Sequence, residues 1–171
     1  QTFQKTALIS GVIIVLFSLG ILAFVFTFLK TTERNLTTQQ QLIEKSKRDY
    51  KALFNSIADS ILIFDWNCNF IDCNEFALNL LGYSREEMKN IKPRDIVHPD
   101  YHELMRNNLQ RLKDGETTLV ESVNLNKNGV MIPVEIRSRS INIGDNNAIL
   151  AVVRNISDRK KLEQNLKLKD N

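Results

Sequence analysis

Cysteine is nearly absent from this chain: Cys68 and Cys73 are its two thiols. Two cysteines cannot build a disulfide framework, they form no Cys-x-x-Cys pair, and no histidine lies beside them at zinc-ligand spacing. Both read as reduced, small apolar side chains. A dominant charge is also lacking. Lys and Arg number 23 against 20 Asp and Glu, a net charge of +3, which does not supply the concentrated basic face of a nucleic-acid binder. No glycine-rich phosphate loop occurs, and no Ser/His/Asp set has a recognisable spacing. The carboxylates Asp59, Asp65, Asp72 and Glu75 are scattered singly, and His98 and His102 stand four apart without a third ligand. No metal site and no catalytic residue is therefore expected, and the chain reads as carrying no enzyme of its own. It begins at Gln1 rather than Met, so it is expected to be a fragment of a longer protein.

Charge is missing altogether from one stretch. After a short N-terminal flank, 1–6, residues 7–29 read ALISGVIIVLFSLGILAFVFTFL, 23 residues without a charged side chain. As a helix this covers roughly 34 Å, enough for a hydrocarbon core of about 30 Å. A core helix would show a polar face, and here only Ser10, Ser18 and Thr27 are polar. A signal peptide would have a shorter apolar region ending in small residues. The stretch is read as a transmembrane helix. Lys30, Arg34, Lys45, Lys47 and Arg48 follow it, against Lys5 alone before it. The positive-inside rule then puts the C-terminal side in the cytoplasm, at the inner membrane.

From Lys30 to Ile57 there is neither Gly nor Pro, and Leu36, Ile43, Tyr50 and Ile57 recur every seven residues. The intermediate positions are mixed: Gln40 and Lys47 are polar, Phe54 apolar. This half-heptad pattern predicts a helical connector over 30–48, either a weak parallel two-stranded coil or a lone amphipathic helix. The homodimeric coil is the preferred reading.

Residues 49–158 alternate short strand and helix signals. Ser60–Asp65 is apolar and β-branched, Trp66–Asn69 a turn, Phe70–Cys73 a return strand. Asn74 caps a helix running through Leu81, with Phe76, Ala77, Leu80 and Leu81 on one face, and Gly82 ends it. Ser84 and Glu87 form a capping box. A longer helix over Asp100–Lys113 stops at Asp114-Gly115. Three strands follow, 118–127, 130–141 and 148–156. In the second, Ile132, Val134 and Ile136 alternate with Glu135 and Arg137, so one face is buried and the other wet. The fold class is α+β, a five-stranded antiparallel sheet with flanking helices.

Several motifs in order resemble the PAS family: Ala58-Asp59-Ser60-Ile61, Cys73-Asn74-Glu75-Phe76, Leu81-Gly82-Tyr83-Ser84-Arg85-Glu86-Glu87-Met88, Val97-His98-Pro99-Asp100, Asn126-Lys127-Asn128-Gly129 and Arg154-Asn155-Ile156-Ser157-Asp158-Arg159-Lys160. The resemblance covers roughly residues 46–160. It implies the PAS fold, a cup with an internal cavity used for sensing, dimerisation and signal relay. PAS domains commonly end in Asp-Ile-Thr, where the Asp pairs with a basic residue. Here the matching residues are Asn155, Ile156 and Ser157, and Asn cannot form that ion pair. Asp158 is expected to cap the outgoing helix. The signal relay is assigned to Asn155, Ile156, Ser157, Asp158 and Arg159, leading into the outgoing helix of 159–171 with Leu162 and Leu166 on one face.

The resemblance raises three chemistries. Some PAS domains bind haem through a histidine in the long helix, and His102 could ligate iron if it points into the cup. The plainer reading is a surface histidine, and no cofactor is the preferred expectation. The flavin-photoreceptor subgroup needs a reactive cysteine, absent from Met88-Lys89-Asn90-Ile91-Lys92-Pro93-Arg94. His102-Glu103-Leu104 resembles a kinase phosphoacceptor box but lies inside the domain and lacks the proline that follows. The expected function is a membrane-bound sensory input module, with a sensor histidine kinase as the leading parent. The expected partners are the membrane, a second copy, and a downstream effector domain or response regulator. A nucleotide cyclase, a chemotaxis-type receptor, or a ligand-free dimerisation scaffold are the alternatives.

Overall fold

The computed structural model describes the backbone of residues 2–169 and the side chains of 20–22, 24–34 and 37–168. The chain divides into two compact units at Ala52/Leu53.

The first unit is helical. Helix α1 runs Thr2–Ser56, and its last residues belong to the second unit. Threonine hydroxyls after the apolar stretch bond back along the helix, Thr31 to the Thr27 carbonyl at 2.8 Å and Thr32 to that of Phe28 at 2.9 Å. They thus satisfy themselves locally. Lys30 lies 6.0 Å from the Phe26 ring centroid, within reach of a cation–π contact. Among the described residues no helix is long and apolar enough to cross a membrane. The span expected over 7–29 rests mainly on 7–19 and 23, whose side chains lie outside the described residues, as does that of Leu36 in the heptad stripe.

The second unit holds strands β1 (Ser60–Asp65) and β2 (Phe70–Cys73), helices α2 (Glu75–Leu81), α3 (Arg85–Met88) and α4 (Pro93–Ile96), and a 3₁₀ turn, Pro99–Tyr101. Helix α5 (His102–Lys113), strands β3 (Thr118–Leu125), β4 (Met131–Ile143) and β5 (Asn146–Asn155), and helix α6 (Ser157–Lys169) complete it. The sheet order is β2-β1-β5-β4-β3, every pair antiparallel. The first and last strands are therefore neighbours, with Ser60 opposite Val153 and Asp65 opposite Ala148.

One sheet face carries the main core. Leu62, Val134, Ile149, Ala151 and Val153 meet Ala77, Leu81, Met88, Ile96 and Leu112 from the helices. The other face has a small cluster of Ile61, Ile63 and Ala148, with Phe54 packed on it. Helix α2 buries Ala77 and Leu81 but leaves Phe76 exposed. The expected four-residue face is narrower because Ala77 and Leu81 are i, i+4 neighbours, while Phe76 is turned away from them. The turn from β4 to β5 is also tighter than expected. Gly144 and Asp145 alone join the paired Ile143 and Asn146, with Gly144 at φ 57°, a left-handed position that suits a two-residue hairpin.

Candidate functional site

Asn74 fixes where the chain enters the domain. Its side-chain carbonyl accepts from Ile61 N–H at 2.9 Å and Ala77 N–H at 3.0 Å. Its amide donates to the Asp59 carbonyl at 2.9 Å and the Phe54 carbonyl at 3.3 Å. The residue is completely buried, so one amide both caps α2 and pins the chain leading into β1. Asp59 in turn receives two bonds from Arg154, 3.1 Å from Nε and 2.7 Å from Nη2. That guanidinium holds the Asp59 carboxyl below its usual range. Incoming and outgoing backbone are thereby tied by one bidentate pair.

The outgoing joint follows at once. Ile156 is buried and donates its N–H to the Pro133 carbonyl at 2.9 Å. Asn155 accepts from Ser157 N–H at 2.9 Å. The cap expected of Asp158 is thus supplied by Asn155. Asp158 lies in the first turn, fully exposed, 3.7 Å from Lys161. It sits too far into the helix to receive the first free N–H groups. Arg159 reaches Glu121 at 2.5 Å and Glu135 at 3.5 Å, and Lys160 reaches Glu121 at 2.5 Å. Glu121 and Glu135 are opposite one another across β3 and β4, an arrangement that repels unless cations stand between them. Helix α6 supplies those cations. The hydrogen bond from Lys160 is the main cause of a lowered Glu121 pKa.

Between the inner sheet face and helices α4 and α5 lies a cavity of about 80 Å³. Leu62, Phe64, Leu104, Met105 and Leu112 are among its apolar walls, while Ser122, Asn124 and Ser138 face it from the sheet. Asn124 is 1% exposed, and its side-chain oxygen has no hydrogen-bond partner.

A family model described as PAS domain matches residues 58–158. The chain belongs to the PAS domain family. Over 122 residues it is 31% identical to a methyl sulfide methyltransferase-associated sensor of Methanosarcina acetivorans, a match covering 71% of this chain and 12% of that protein. It is 25% identical over 147 residues to sporulation kinase E of Bacillus subtilis, covering 82% of this chain and 19% of that one. The chain thus spans only a small part of these relatives. A solved PAS domain of an HTR-like protein from Haloarcula marismortui superposes with a TM-score of 0.64, at 20% identity, covering 70% of this chain and 99% of that one. That likeness shows the fold.

Within the PAS domain His102 is not among the residues lining the cavity. Tyr101, Leu104, Met105, Asn108, Leu109 and Leu112 form the lining stripe of α5, and His102 sits on its flank. Its Nε2 is 3.0 Å from the Val97 carbonyl and 3.2 Å from that of Arg94, and Nδ1 accepts from Arg94 Nε at 3.3 Å. The Nε2–H tautomer satisfies all three contacts. Haem does not fit these residues: the histidine is turned away, no cation faces the cavity to meet propionates, and about 80 Å³ is far below the ~300–1,000 Å³ of ordinary ligand pockets. Among the described residues no group of three metal-ligating side chains occurs. Of the expected relay residues, Asn155, Ile156, Ser157 and Arg159 gather at the joint, and Asp158 points to solvent. The Asp59–Arg154 clamp and the polar wall of β3 were missed in the sequence. Thr118, Ser122 and Asn124 share one face at period two, and that inward polar stripe is the signal that could have shown them.

Proposed function

We propose that the chain is the membrane-anchored sensory input module of a signal-transduction protein, with a sensor histidine kinase as the parent. The observation that carries this reading is the joint at which α6 is clamped to β3 and β4 through Arg159 and Lys160. Signal leaves the PAS domain there, through Asn155, Ile156, Ser157 and Arg159. The clamp is made of exposed ion pairs, each worth about 0–1 kcal/mol, so two packings of α6 can lie close in energy. A stimulus moves the equilibrium only by favouring one of them. The relatives named as a sensor and a kinase support the role.

The uncharged sequence of 7–29 supports an anchor in the cytoplasmic membrane, and the basic flank after it supports a PAS domain on the cytoplasmic side. Ile43, Tyr50, Leu162 and Leu166 are all exposed in the single chain. A parallel homodimer covers such stripes. The partner downstream is an effector domain or response regulator, not nucleic acid, and catalysis belongs to that partner.

The test uses the full chain in membranes. With Cys68→Ser to remove the accessible thiol, Ile43→Cys and Leu162→Cys are oxidised separately. Disulfide-linked dimers in the membrane fraction are the expected result. A chain left in the supernatant after lysis, or one without cross-links at either position, removes the proposal.

A further inference from the structure

We infer that the docking of α6 on the sheet is an electrostatic latch set by the ionic strength around the PAS domain, closed at low salt and open at high salt. The inference deepens the input-module reading and rests on it for the claim that α6 carries the signal, but the latch stands on its own geometry. Ile156 is buried at the start of the joint, and over 158–168 no residue is buried. Leu162, Leu166 and Leu168 are all exposed. Neither apolar core cluster receives a side chain from α6. The helix holds β3 and β4 through charge instead. Arg159 reaches Glu121 at 2.5 Å and Glu135 at 3.5 Å, and Lys160 reaches Glu121 at 2.5 Å. These four side chains are 27–47% exposed, so dissolved ions reach all of them.

Salt acts on the docked and released states in the same direction. With α6 docked, screening weakens the attraction of Arg159 and Lys160 for the sheet carboxylates. With α6 away, Glu121 and Glu135 face one another across β3 and β4, and screening relieves that repulsion. Arg154, the neighbour of Glu135 on β5, is committed to Asp59 through two bonds, so it is a poor substitute for Arg159. The Debye length shrinks from ~30 Å at ~0.01 M salt to ~3 Å at ~1 M. The lower figure is comparable with the separations in the clamp. A joint made by apolar burial would not loosen in this way. Asn155 adds no charge: it caps α6 with a neutral bond from Ser157 N–H at 2.9 Å. That cap and the Ile156 bond to Pro133 survive screening. Salt therefore releases the body of the helix while its first end stays tethered.

The full chain, labelled with ¹⁵N in lipid nanodiscs, is followed by amide exchange at constant pH in ~0.05 M and ~1 M potassium chloride. Rates are corrected for the effect of salt on intrinsic exchange. A helix of 13 residues is marginal in water by itself, so release from the sheet reads as lost protection over 161–166. Protection there is expected to fall about tenfold, the loss of two or three exposed pairs, while β5 keeps its own. The double variant Glu121→Gln, Glu135→Gln removes the sheet carboxylates but leaves Glu163 to pair with Arg159 and Lys160 inside the helix. Low protection of α6 is expected in it at both salt concentrations. Unchanged protection of native α6 between the two concentrations overturns the latch. A salt response of full size in the variant also overturns it, because the response then arises inside α6. Sucrose at matched osmolality should have no effect, and an equal loss in sucrose overturns the ionic assignment. Protection of β5 reports whether the variant is folded, and the native salt series decides even where it is not. Cross-linking at Ile43, on α1 ahead of the PAS domain, does not involve α6, so failure of the latch and failure of the input-module reading are told apart.

Discussion

Asn74→Ala should be the most damaging single-atom-scale change in the PAS domain. The substitution removes the acceptor of Ile61 N–H and the donor to the Asp59 carbonyl, and weakens what remains for Ala77 N–H, which keeps its bond to the Asn74 backbone carbonyl at 3.1 Å. Each buried group left unpaired costs about 1–3 kcal/mol, and the lost helix cap adds about 1. The expected loss is about 3–5 kcal/mol, a large part of the ~5–15 kcal/mol that holds a domain folded. In a domain of this size the midpoint should fall by about 10–20 °C. Trp66, the only tryptophan, packs against the main core of the second unit, so its fluorescence follows that unit without interference from the long first helix. Asn74→Asp should not rescue, because a carboxylate cannot donate to Asp59 and would be buried as a charge. A variant Asn74→Ala within about 1 kcal/mol of the native midpoint would refute the reasoning.

The clamp on α6 should depend on pH. Glu121 has its pKa lowered beneath 4.5, first by the hydrogen bond from Lys160. Its contribution is therefore complete above 4.5 and lost as pH falls through the lower, folded value. Amide protection factors in the first turns of α6, exchange rates corrected for the intrinsic pH dependence, should fall on acidification, and Glu121→Gln should remove the step; an unchanged step would sink the assignment. Glu87 is held at about 2 by its bonds from Lys127 and the Ser84 backbone. Carbon-13 titration of its carboxyl should show that midpoint, and Lys127→Met should return it towards 4.5. His102→Phe frees the Val97 and Arg94 carbonyls and should cost about 1–2 kcal/mol in thermal unfolding. Added haemin should give the native protein no new band at the blue-violet edge of the visible, and a band lost in His102→Phe would reverse the conclusion about that ring.

Periodicity made much of the fold readable. Ile132, Val134 and Ile136 against Glu135 and Arg137 gave the face of β4, and Asn74, Gly82 and the Ser84–Glu87 box marked helix ends that the structure keeps. Such signals are local, since they rest on backbone groups within a few residues. The partners of those residues were not readable. Asp59 and Arg154 stand 95 positions apart and Glu121 and Arg159 38 apart, and no spacing rule connects them. Asn155 shows the same limit: the missing carboxylate signalled a lost ion pair, but not that Arg159 would draw its carboxylates from two strands. The resemblance implied a cavity, but not the buried, unpartnered oxygens of Thr118 and Asn124 on β3, which are a property of the packed state.

The placement of β1 beside β5 has a consequence beyond stability. The polypeptide arrives and departs on adjacent strands, at positions joined by Asp59 and Arg154. Everything from one to the other is a closed detour. A fold with neighbouring ends can be spliced into a host sequence, duplicated in tandem or circularly permuted with little disturbance. Joining the two ends with a short linker and opening the chain at the Asn128-Gly129 turn should therefore yield a folded permutant.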